Sequence, residues 1–375
     1  MKKRIQWIES LKFIAALSVF WGHFYMTFYK TLAGSGEIQG ISKYIIIACD
    51  HIFHILVDGN FWVFVFCILS GYFAGKKKIE STRELFVAIM LRYIRFVIPV
   101  FFTNIFAFGI QETIGYHTQE WAKYIGSTWV AQGYAEKRSL FNAFYSALLL
   151  THDFNGSFWV IRPIFIGSCG IYFYRFMKAQ IEVQRYRYMP EAGVLCLFSC
   201  VFVIVPLYEK FYHAAICLVG GVLLKAIWEE INIPEEVHWL PCTTFVLCIM
   251  ALNVYPYMGV KERSLTAFLF CIACNYVGKV RHFLEIGKLE KVNHLSFGIF
   301  AVHGPILFSF CIILQYWLAD KVPYVGAVLI NFIVSTSVVL LFSATYHNIA
   351  ERFLNVIIAH LKRLHSDKKI YRERI

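Results

Sequence analysis

The chain has 375 residues, of which 58% are hydrophobic and 18% aromatic, against about 45–50% apolar in ordinary water-soluble domains. That surplus excludes a conventional soluble fold. The net charge of +12 sits in short clusters between apolar runs, not along one amphipathic face, which excludes nucleic acid as its target and suits loops at a membrane surface.

Apolar runs near the length that crosses a hydrocarbon core of about 30 Å recur along the chain. Spans are expected near 8–29, 58–75, 86–112, 155–176, 191–208, 211–228, 239–257, 264–278, 294–318 and 322–346. The expected fold is all-α, a polytopic transmembrane helical bundle of about ten helices. It forms a single integral-membrane domain over 1–375, without a separate soluble domain, internal repeat or low-complexity tract. An even number of crossings puts both termini on one side. With that side taken as cytoplasmic, the inside segments, counted with the cations just at the span ends, hold 23 of the 36 Lys and Arg residues and the outside segments 9, as the positive-inside rule requires. The acidic inside stretch Glu229–Glu236 is an exception with little topological weight.

The start Met1–Arg4 before an apolar run imitates a signal peptide, with Ala33–Ser35 as a cleavage-like site. The polar groups inside that run argue that it is retained. In WIESLKFIAALSVFWGHF, Lys12 and His23 are eleven residues apart. That spacing returns to nearly the same helix face about 16 Å along the axis. Lys12 therefore belongs at the cytoplasmic boundary, in reach of Glu9 one turn earlier, and His23 near mid-membrane. A neutral imidazole there can act as a general base, and a boundary cation can hold an anionic ligand. A helix-to-helix hydrogen bond for His23 and a snorkelling Lys12 account for the same pattern without chemistry.

The third span opens with LRYIRFVIPVF, in which Arg92 and Arg95, one turn apart on the same face, are expected to form a phosphate-binding fork just inside the cytoplasmic boundary and Pro99 to bend the helix. Together with Lys76, Lys77 and Lys78 they suit a phosphorylated cytosolic donor such as coenzyme A, and equally anionic lipid headgroups. The outer segment Thr113–Asn155 carries Tyr116, Trp121, Trp129, Tyr134 and Tyr145. It is expected to fold back onto the membrane surface, either lining an acceptor site or serving as an interfacial anchor. At its end, His152 and Asp153 are either a sugar-binding pair or a loop cap. The eleven cysteines are scattered. The CxxC at Cys271 and Cys274 has no second pair at zinc spacing, so helix packing is expected and no metal.

These segments carry a resemblance. IESLKFIAALSVFWGHF is similar to the opening motif of the integral-membrane acyltransferase-3 family, a basic residue, ten positions, then His. FWVFVFCILSGYFAG resembles that family's second-span motif and LRYIRFVIPVF its basic third-span motif. SFWVIRPIFIGS, LSFGIFAVHGPIL and YHNIAERF resemble its later motifs, in order over essentially the whole chain. The resemblance implies a membrane O-acyltransferase of polysaccharide O-acetyltransferase type. It would move an acyl group, acetyl first, from cytosolic acetyl-coenzyme A to a sugar of a surface or cell-wall polysaccharide. By position, His23 resembles the catalytic histidine, and Lys12, Arg92 and Arg95 the donor-binding residues. Ser70 and Gly71 would wall the donor channel, and Glu9, His303 and Glu351 would support the centre. The sequence departs from the pattern at Lys12, where Arg is commoner, and at Ile164, where relatives often carry Glu.

The expected partners are acyl-coenzyme A, a carbohydrate or lipid-linked glycan acceptor and membrane lipid, with no nucleic acid; a homodimer is compatible with the sequence. The expected location is the cell inner membrane. Whether His23 takes the acceptor's proton or carries the acyl group itself is open at this stage. The rival readings are a glycan or lipid-linked sugar flippase and a non-catalytic family member.

Overall fold

The computed structural model describes residues 6–28, 51, 53–134, 136–180, 209–230, 234, 237–254 and 258–372. In chain order the helices are α1 (Gln6–Phe28), α2 (Gly59–Gly75), α3 (Thr82–Thr113), α4 (Thr118–Ile125), α5 (Thr128–Gln132), α6 (Leu140–Leu149) and α7 (Ile161–Gln180). They continue with α8 (Glu209–Glu230), α9 (Trp239–Val254), α10 (Val260–Tyr276), α11 (Ser296–Ile306), α12 (Ile312–Ala319), α13 (Tyr324–Tyr346) and α14 (Arg352–Arg372). No strand occurs among the described residues.

Among the described residues, six helical stretches are long and apolar enough to cross a membrane. They are α1, α3, Gly156–Gln180, Glu209–Glu229, Asn293–Ala319 and Tyr324–Leu361; α2, α6 and α9 are shorter apolar helices. Every expected span but one falls on a helix, and 191–208 lies outside the described residues. The outer surface is apolar as well. Phe86, Ile333, Leu341 and Val356 are 65%, 65%, 66% and 68% exposed, which a lipid solvent tolerates and water does not.

Local chemistry sets the helix ends. The Asp58 carboxylate caps α2 by accepting from Phe61 N at 3.0 Å, and Ser81 Oγ caps α3 by accepting from Glu84 N at 3.2 Å. The second cap starts α3 four residues before the expected boundary, and the helix then runs unbroken through Pro99. α11 passes into α12 through a π-helical turn, Leu307–Cys311, and α13 into α14 through another, His347–Glu351.

α1 and the stretch around α11 form the centre, with 61% and 78% of their most apolar windows buried, while α3 and α13 lie at the rim with 22% and 28%. α2 and α8 cross at backbone distance. A Cβ on Gly71 would overlap the Leu218 carbonyl, and one on Gly221 would overlap the Ile68 carbonyl oxygen. Small residues at such crossings let helix backbones meet in lipid, where no hydrophobic force between helices is available. On the other side, Asn331 Nδ2 on α13 donates to the Cys311 carbonyl at 2.9 Å and to Gln315 Oε1 at 3.0 Å, and Ser335 Oγ donates to Asn331 Oδ1 at 2.7 Å. These bonds fasten α13 to the π turn after α11.

Candidate active site

α1 carries His23 inward toward α11, where it meets a second histidine. His23 Nδ1 lies 3.0 Å from His303 Nε2, and the ring centroids are 5.2 Å apart. His303 is fully buried, whereas His23 keeps some exposure. His303 Nδ1 stands 2.9 Å from the Ile299 carbonyl. A carbonyl only accepts, so His303 Nδ1 bears the hydrogen and its Nε2 is the acceptor. His23 can then donate from Nδ1, which leaves its Nε2 as a lone pair without a partner among the described residues. The pair is thus built as a base or nucleophile held by an orienting histidine.

The segment before α7 completes the centre. Ser157 Oγ is 3.0 Å from His303 Nε2 and 3.5 Å from His23 Nδ1. Asn155 fixes that turn: its Oδ1 accepts from Ser157 N at 3.0 Å, and its Nδ2 donates to the Ala301 carbonyl at 2.8 Å. Sequence reasoning missed both residues. Asn-Gly-Ser directly before a span reads as a helix start, and nothing local shows that it lands on a histidine from α11.

The segment between α3 and α7 packs over the pair. Trp121 Nε1 donates to the Thr27 carbonyl at 3.0 Å, tying α4 to the end of α1, and His117 N donates to the Phe308 carbonyl at 3.2 Å. The Trp129 ring lies 5.5 Å from His23, and Phe308 is 5.5 Å from Trp129 and 5.6 Å from Tyr134. Tyr116 and Tyr134 stack at 4.0 Å, and burial pushes both phenols above their ordinary range, so both stay protonated. Tyr134 adopts φ 55, a left-handed conformation that costs a bulky residue about 1–3 kcal/mol.

On the other side of the bundle, Lys12 and Arg92 reach neighbouring turns of α2. Lys12 Nζ pairs with Glu9 at 2.7 Å and lies 5.6 Å from the Phe73 ring. Arg92 donates to Ser70 Oγ at 2.5 Å and sits 4.8 Å from the Phe96 ring. Arg95 is exposed, so the two guanidiniums do not form one inward fork: only Arg92 turns to the bundle, because Ser70 offers it an acceptor. Gly71 belongs to the α2–α8 crossing described above. Ile164 is a buried apolar residue on α7.

Glu351 does not reach the histidine pair. Its carboxylate accepts from His347 at 2.9 Å on the second π turn, and His294 stacks edge-on against His347 at 4.5 Å, so its support is given to a separate cluster. His152 and Asp153 are exposed. Asp153 accepts from Thr151 Oγ1 at 2.5 Å and pairs with Arg138 at 3.8 Å, contacts within the segment between α3 and α7 itself. Cys271 and Cys274 are buried on α10.

Compared with known proteins, residues 5–346 match a family model described as an acyltransferase domain. No curated protein and no solved structure matches.

Proposed function

The chain belongs to the acyltransferase-3 family, whose model covers residues 5–346, and from that premise we propose that it transfers an acyl group, acetyl as first choice, from cytosolic acyl-coenzyme A to a hydroxyl of an extracytoplasmic sugar. It does so as a multi-pass protein of the cell inner membrane with about ten crossings and both termini in the cytoplasm, a layout supported by the basic inside loops.

The observation that carries the reading is the 3.0 Å contact between His23 and His303 at the centre of the bundle. In the proposed reaction His23 Nε2 takes the proton of the acceptor hydroxyl as that oxygen attacks the thioester carbonyl. His303 holds the other ring nitrogen and stabilises the imidazolium that forms. The proton passes to the departing thiolate, so the products are an ester and a thiol. The hydrogen bond at Nδ1 favours this general-base role, since it keeps Nε2 aimed and basic.

Lys12 and Arg92 supply cationic character next to α2 for the phosphates of the donor, with Arg95, Lys77 and Lys78 beside them. Ion pairing of Lys12 with Glu9 and its single point charge make Arg92 the stronger phosphate ligand of the two. The apolar Ile164 favours a second reading, a family member that binds the donor without turning it over.

The test is acyl incorporation into surface glycan by a His23→Ala variant that still inserts in the membrane. Incorporation is expected to fall at least about 10²-fold, the usual contribution of a positioned base. Undiminished incorporation would remove His23 from the mechanism.

A further inference from the structure

Tyr134 is a polar group that the mechanism above leaves unused. Its hydroxyl is buried and has no hydrogen-bond partner among the described residues, a condition that native structures keep only with a reason. It stands where a side chain on Gly304 would meet it at 3.2 Å, with Asn155 Oδ1 at 2.8 Å from the same point. Gly304 follows His303 directly, so the left-handed turn at Tyr134 delivers a phenol to the same helix turn as the orienting histidine. Trp129 approaches His23 from the same segment, its ring inclined 35° to the imidazole. Phe308 bridges the two aromatic rings.

We propose that Trp129 and Tyr134 form the acceptor subsite and that its occupant is a pyranose ring. The indole packs on the ring's C–H face, and the Tyr134 hydroxyl bonds one sugar oxygen. A neighbouring hydroxyl is thereby brought to His23 Nε2. This rests on the acyl-transfer reading above and adds to it the two positioning residues and the shape of the acceptor. The chemistry fits the occupant. A sugar offers alternating apolar faces and hydroxyls, which match an aromatic surface with one placed donor. The raised phenol keeps Tyr134 protonated at neutral pH, so it remains a donor. A lipid chain would satisfy Trp129 but leave Tyr134 unpaired, and a linear polyol would satisfy Tyr134 but present no flat face.

The experiment follows acyl-coenzyme A thiol release by the purified full chain in proteoliposomes, driven either by a pyranose oligosaccharide or by sorbitol. The oligosaccharide is expected to drive release and sorbitol not. Tyr134→Phe, which keeps the ring, is expected to raise the acceptor KM about tenfold, the equivalent of one hydrogen bond, with little change in kcat or in the donor KM. Trp129→Ala is expected to raise it further, and Trp129→Phe to recover part of the loss. Equal loss of kcat and of donor affinity in Tyr134→Phe would assign that residue to packing and overturn the subsite, as would an unchanged acceptor KM. If the parent protein instead binds no acyl-coenzyme A and releases no thiol with any acceptor, the acyl-transfer reading itself fails.

Discussion

The orientation of one imidazole decides what this centre can do. Because the Ile299 carbonyl claims His303 Nδ1, His303 is left with an acceptor facing α1, and His23 is steered to one tautomer. His303→Gln retains an acceptor oxygen at that place, whereas His303→Ala removes it. Turnover is expected to fall about tenfold in the first and about 10²-fold or more in the second, with acyl-coenzyme A binding kept in both; kcat against donor Kd in purified variants checks this. His23 and Lys12 were legible in the sequence because both lie on one helix, where residue spacing alone fixes their relation. Ser157 was not, since its importance depends on meeting an α11 residue 146 positions onward, and Tyr134 was legible only as one aromatic residue of a segment with two possible uses. Arg92 and Arg95 show the limit of spacing: one turn apart, they still diverge, because a neighbouring hydroxyl captures only Arg92.

Among the elements, α2 is the one that organises its neighbours. It meets α8 through Gly71 and Gly221, presents Ser70 to Arg92 and lies beside Lys12 through Phe73. Gly71→Val would force the two backbones apart, and overpacking of this kind costs about 1–3 kcal/mol or more. The expected outcome is a lowered melting temperature in detergent and weaker donor binding, with membrane insertion kept; a differential scanning measurement with and without acyl-coenzyme A reads both. The positions of most helices were readable from apolar run length, since lipid demands continuous hydrogen-bonded helices. The α2–α8 crossing was not: small residues in both helices signal close packing without naming the partner.

The whole molecule poses a transport-like problem, because the proposed donor and acceptor stay on opposite sides. An enzyme of this kind must hold the donor stably at its inner face, whereas a flippase has no such need. Acyl-coenzyme A at 100 times its Kd is therefore expected to stabilise the folded chain by about 2.7 kcal/mol, and a melting temperature that ignores it would favour transport. The π turn after α11 bears on the same problem. It houses one more residue than a regular helical turn would, and Asn331 holds it from α13 by the Cys311 carbonyl. Were the bulge to relax into ordinary winding, everything before it would swivel by about 100° and His303 would leave His23. The active arrangement is thus an indexed position, like a gear held by a pawl, and α13, which bears neither histidine, is the part that keeps count.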